Sequence, residues 1–133
     1  MPGNRYLLDT NALVALLQGN PELAKLTQQA HWLGVSVINV LEFSSFDGLG
    51  DQDRYLLSQL VARITVVDVA YGNNELMTNI IALRQTRALK LPDAIVMASA
   101  ALYQATVLTN DTQLLNLGKA DSGYRTCGFS VVE

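Results

Sequence analysis

Thiol and imidazole are nearly absent from this chain: it has one cysteine, Cys127, and one histidine, His31. A lone cysteine excludes an intramolecular disulfide and any cysteine-built zinc site. Charge is scarce as well, at 16% of 133 residues, with a formal net charge of −3. Proteins that coat nucleic acid by bulk attraction are usually basic. If this chain meets RNA or DNA, a bound cation and a local basic patch must supply the attraction. Long apolar runs are missing too. The greasiest stretch, Ala94 to Leu102, is too short to span a bilayer. The opening Met1-Pro2-Gly3-Asn4-Arg5 leads into a strand pattern without the apolar region of a signal peptide. No membrane contact is expected, and the expected location is cytoplasmic. What is abundant is hydrophobic side chain, half of all residues. That composition excludes disorder. The length predicts a single domain over residues 1–133 with a core of its own.

Hydrophobic periodicity predicts alternating strands and helices. Strands are expected at Tyr6-Leu7-Leu8, Leu33–Ser36, Ile64–Val67, Thr106–Thr109 and Phe129–Val132. Helices are expected from Asn11 to Gln18, Pro21 to about Gln29 and Val37 to Phe46, then from an Asp51 cap to Val61. Three more are expected from Asn73 to Leu89, Pro92 to near Tyr103, and Thr112 to Leu117. Gly19-Asn20 and Asp47-Gly48-Leu49-Gly50 read as breaks between elements. There is no repeat, low-complexity segment or linker. Strands alternating with helices imply a three-layer α/β/α fold with a mostly parallel central sheet.

Four acids stand at strand ends or in helices of this pattern: Asp9, Glu42, Asp93 and Asp111. Each has an ordinary reading. Asp9 opens a helix beside Thr10 and Asn11, which are capping residues in their own right, and Asp111 suits a helix N-cap. Asp93, just after Pro92, suits a helix dipole. A glutamate within a helix, such as Glu42, is usually solvated. Together they mean more. In a parallel α/β sheet the carboxyl ends of the strands share one edge, where ligands bind. Acids brought together there repel unless a cation neutralises them or some protonate. A hard divalent metal with oxygen ligands is the natural occupant. The chain is therefore a candidate metal-dependent hydrolase.

The same residues carry a family resemblance. Leu7-Leu8-Asp9-Thr10-Asn11-Ala12-Leu13 resembles the opening motif of PIN-domain nucleases. Asn39-Val40-Leu41-Glu42-Phe43 resembles their second motif, and Leu91-Pro92-Asp93-Ala94-Ile95-Val96-Met97-Ala98-Ser99-Ala100 their third. Leu108-Thr109-Asn110-Asp111 resembles the fourth. The motifs keep the family's order across the chain, and the third is the most specific. Size and plainness resemble VapC-type toxins of toxin–antitoxin pairs. That resemblance implies a ribonuclease dependent on Mg2+ or Mn2+, dimeric, and silenced by a cognate antitoxin protein. There is one departure. Many relatives place a second acid two residues beyond the fourth-motif acid, followed by an aromatic. Here Gln113 and Leu114 stand there, which implies a less charged metal site.

Within that reading, magnesium keeps several waters and takes few carboxylates directly. Asp9 and Asp93 are the expected direct ligands. Glu42 and Asp111 either ligate, hold a metal-bound water, or complete a second site. Thr10, Asn11 and Thr109 are expected to orient the carboxylates. Arg84, Arg87 and Lys90, just before the third motif, are candidate RNA phosphate contacts; their ordinary reading is a solvated helix face. A symmetric homodimer is expected, from the high apolar content of a small chain. The alternative is a catalytically weak PIN-like module that binds RNA or a protein without cleavage.

Other motifs fail at particular residues. A haloacid-dehalogenase-type phosphatase needs a second aspartate two positions after the first, where Asn11 stands. A receiver domain needs adjacent acids after its first strand; Asp68 follows a strand, but the adjacent pair is missing. Asp47, Asp51 and Asp53 lack the glycine and terminal acid of an EF-hand loop. His31 beside Trp32 is expected to pack or cap, and Cys127 to fill buried space.

Overall fold

The computed structural model describes residues 3–131. Five strands form one sheet: β1 (Arg5–Leu8), β2 (Trp32–Ser36), β3 (Thr65–Val67), β4 (Thr106–Leu108) and β5 (Arg125–Cys127). Their order is β3-β2-β1-β4-β5, and every neighbouring pair is parallel. Seven helices are described: α1 (Thr10–Leu17), α2 (Pro21–Gln28), α3 (Val37–Ser44), α4 (Asp51–Val61), α5 (Asn74–Arg87), α6 (Leu91–Leu102) and α7 (Thr112–Ala120). They cover both faces, giving the expected three layers.

The alternation of side chains along each strand builds two cores. Leu7 and Val107 point into one, with Leu76, Ile80 and Leu83 of α5 and most of α6. Tyr6, Leu8 and Leu108 point into the other, with Leu13, Leu23 and Phe43. Helix α6 is buried without interruption from Ala94 to Ala100. Its alanines and Ser99 let it lie close to the sheet while α5 covers its outer side. Burial of that whole face fixes where its first turn, and hence Asp93, must sit.

Two expectations need correction. The last strand is Arg125–Cys127 rather than Phe129–Val132. Gly128 follows the strand, and Phe129 instead buries its ring in the second core and donates its N–H to Asn110 Oδ1 at 2.9 Å. Val132, the end of the expected strand, lies outside the described residues. Asp51 is the first residue of α4 rather than its cap: Gly50 holds the cap position, and Asp53 Oδ2 accepts from the Gly50 N–H at 3.1 Å. The remaining boundaries shift by a few residues; α3 stops at Ser44 and α7 runs on to Ala120.

Register puts Leu8 opposite both Val35 and Leu108, and pairs Leu108 with Cys127. The strands therefore end together. The chain winds outward in both directions from β1 and β4, so the crevice between those two ends is the switch point at which open α/β sheets bind ligands.

Candidate active site

Asp9 follows β1 at that crevice, with its N–H donating to the Leu108 carbonyl at 3.1 Å. It caps α1 through its own carboxylate, since Oδ1 accepts from Thr10 N at 2.9 Å. The cap is thus Asp9 itself, rather than Thr10 or Asn11. Asn39 Nδ2 also approaches Oδ1, at 3.4 Å. On the other oxygen, Thr109 Oγ1 donates at 2.7 Å and Asn11 Nδ2 at 3.4 Å. The group is only 7% exposed. Burial raises its pKa above the ordinary carboxylate value; the bonds from Thr109 and Thr10 oppose the rise, and the charges of Asp111 and Glu42 add to it.

The remaining three acids reach the same cleft from separate elements. Glu42, in the second turn of α3, accepts at Oε1 from Thr10 Oγ1 (3.1 Å) and Asn39 Nδ2 (3.2 Å). Asp111 caps α7 by accepting from Leu114 N at 3.1 Å. Asp93 lies in the first turn of α6, half-buried. Desolvation lifts its carboxyl from 3.8 to about 6, reinforced by the charges of Asp111, Asp9 and Glu42 and offset by Lys90. With Thr10, Asn11, Val14 and Phe46, the four acids line an open cleft of about 590 Å³. A larger cavity, about 730 Å³, opens beside the start of β2 between His31, Trp32 and Leu60. It has no carboxylate in its lining, so its size does not make it the reactive centre.

The three residues expected to orient the acids form one mesh. Thr109 Oγ1 donates to Asp9 and accepts from Asp111 N (3.0 Å) and Asn11 Nδ2 (3.2 Å). Asn11 Oδ1 accepts from Asn110 N at 3.0 Å. Asn39 was not singled out from sequence, yet it is fully buried, and its amide reaches Asp9, Thr10 and Glu42. Its Oδ1 has no partner among the described residues. Turning the amide over would aim that oxygen at two carboxylates, which fixes the orientation. The available signal was a polar residue three places before Glu42 in an apolar helix, hence on the same face.

The basic trio divides. Lys90 is close enough to oppose the rise at Asp93. Arg87 pairs with Asp121 at 3.1 Å, at the far end of α7. Arg84 is exposed. None of the three lines the cleft. Of the departures, Leu114 is fully buried in the core and Gln113 is exposed. His31 is exposed, and Cys127 is half-buried in β5.

Among the described residues, no three acids or histidines already stand as a ligating group. The donor set nevertheless fits a hard divalent ion. All its donors are oxygen, neighbouring carboxylates add to the raised pKa of Asp9 and Asp93, and Asp93 accepts no hydrogen bond from the described residues. Such a spread-out set suits an ion that takes one or two carboxylates directly and keeps its waters.

Comparison with known proteins places this geometry. A comparison with curated protein sequences finds no match. Solved structures align over almost the whole chain. VapBC2 from Rickettsia felis bound to promoter DNA gives a TM-score of 0.72 at 18% identity, covering 95% of this chain and 99% of that one. A toxin–antitoxin complex from Klebsiella pneumoniae gives 0.71 at 23%, covering 96% and 98%. VapBC-1 from nontypeable Haemophilus influenzae gives 0.70 at 19%, covering 93% and 97%. These likenesses concern the fold. The family model of the PIN domain matches residues 6–120, which span β1 through the end of α7 and all four acids. The chain belongs to the PIN-domain family.

Proposed function

We propose that the 133 residues form a single PIN-like domain and act as a divalent-metal-dependent endoribonuclease, the toxin of a toxin–antitoxin pair. PIN-domain proteins are generally nucleases. The observation that carries the reading is the convergence of Asp9, Glu42, Asp93 and Asp111 on one cleft at the sheet's switch point. Toxin–antitoxin complexes among the structures of like fold support an antitoxin as partner.

Asp9 and Asp93 would hold Mg2+ or Mn2+ directly. Glu42 and Asp111 would take a metal-bound water or a second ion. The bound metal would lower the pKa of its water and offset charge on the phosphate. The chain's residues set the geometry. Four donors hold the Asp9 carboxylate in place, and those from Thr109 and Thr10 oppose the rise in its pKa. Thr10 and Asn39 fix Glu42 at one oxygen and leave the other to the cleft. Asp93 keeps its whole acceptor capacity for the ion, while Lys90 lies near enough to draw in the RNA backbone.

A manganese titration by calorimetry, followed by an RNA cleavage assay, tests the proposal. Saturable binding and metal-dependent cleavage are expected. Gln113, standing where many relatives carry a second acid, favours a second reading, a module that binds RNA or protein without cutting. Metal binding with no cleavage of any RNA would select it.

A further inference from the structure

A smaller cavity of about 200 Å³ adjoins the acid cleft. Val14 and Phe46 line both, so the two are continuous. Leu17, Phe43 and Leu49 complete its apolar wall. Phe46 is 45% exposed, unusual for a phenyl ring beside four carboxylates. Below it, buried Phe43 supports the ring, with centroids 5.8 Å apart and planes tilted by 50°. The result is an aromatic surface held from beneath and open above.

The rim limits what can enter. Asp47 is exposed and makes no hydrogen bond or ion pair among the described residues. Asp53 is already bound to the Gly50 N–H. A free carboxylate accepts hydrogen bonds and repels anions, so phosphate is excluded. The space admits one planar ring system and no helix. Unpaired bases stack on aromatic side chains, whereas paired bases are already stacked within the duplex.

We propose that this cavity is a nucleobase subsite: it seats one unpaired base next to the phosphate in the acid cleft, stacked on Phe46, with Asp47 accepting from the base edge. The inference rests on the ribonuclease reading. It makes the substrate single-stranded RNA at the cleavage point. It also favours guanine, whose N1–H and N2 amino group present adjacent donors to a carboxylate.

Short fluorescein-labelled single-stranded RNAs provide the test, with anisotropy measured on the full chain in calcium, which should support binding but little cleavage. Phe46→Ala should weaken binding about tenfold, within the range for one stacked base. Phe46→Leu keeps the apolar bulk and should lose nearly as much, whereas Phe46→Tyr should restore binding. A 2-aminopurine placed at the subsite should be quenched by the wild type and not by Phe46→Leu. Asp47→Ala should erase the preference for guanine over inosine, which lacks the amino group. Wild-type affinity in both Phe46→Ala and Phe46→Leu would overturn the subsite and leave the nuclease reading standing. So would a drop in mass by light scattering with RNA affinity unchanged, since the face would then join two copies. If the wild type binds no single-stranded RNA, the subsite and the nuclease reading fall together.

Discussion

Asp93 is the acid with least support. Asp9 has four donors, Glu42 has two, and Asp111 has its helix N-terminus. Asp93 has burial, reinforced by neighbouring charge, which raises its pKa from 3.8 to about 6. A folded-state pKa above the unfolded value means that the native protein binds more protons between the two. Stability contributed by the proton is therefore complete below about 3.8 and lost as pH rises through about 6. Without metal, melting temperature should fall across this window more steeply for wild type than for Asp93→Asn. Parallel curves would show that Asp93 is not strained. Asn39 makes a second prediction. Asn39→Ala should weaken manganese affinity about tenfold by releasing Glu42 and one side of Asp9. It should also cost about 1–3 kcal/mol in stability, because buried acceptors lose their donor. Calorimetry showing unchanged affinity would reduce Asn39 to packing. The acids were legible in sequence because each of Asp9, Asp93 and Asp111 sits where a strand or a proline meets a helix. Asn39 and Phe46 were not, because one lies inside an apolar helix and the other follows it.

Elements with a strong pattern were legible throughout. In β1 the apolar run Tyr6-Leu7-Leu8 is followed by a capping acid, and α6 announces itself with Leu91-Pro92 and an apolar run. β5 had no such pattern. Arg125-Thr126-Cys127 is a short edge strand with one β-branched residue, while the more strand-like Phe129-Ser130-Val131 follows Gly128. Propensity there yielded to packing, as edge strands commonly allow. Besides its pairing with β4, β5 is held by α7, which packs so closely that a Cβ on Gly118 would run into the Thr126 side chain. Gly118→Ala would raise helix propensity. It should nevertheless destabilise by about 1–3 kcal/mol, because the close contact cannot expand freely. Chemical denaturation measures it, and a gain in stability would mean that β5 is loosely docked. Since Asp111 caps α7, loosening this contact would also disturb the acid farthest along the chain.

On the scale of the whole molecule, the polar chemistry is confined to one sheet edge, and apolar surface is left elsewhere. Leu41, Ile81 and Leu91 are each about half exposed, at 56%, 55% and 49%. Burying such residues against a second copy is the commonest route to a symmetric dimer. Light scattering at micromolar concentration should give twice the chain mass; a monomer mass would refute pairing. Among the described residues, no helix is long and apolar enough to cross a membrane. The three-layer parallel architecture followed from strand–helix alternation alone, but what makes four remote acids a single site is the register of β1 against β2 and β4 together with the burial of α6 that places Asp93. That convergence is the centre of the account, and one measurement tests it most directly: single-stranded RNA cleavage by wild type, Asp9→Asn and Asp93→Asn, each in magnesium and in EDTA. The account predicts cutting by wild type in magnesium only, with both variants folded and inactive in either condition. Equal cutting in EDTA, or wild-type rates from either variant, would contradict it.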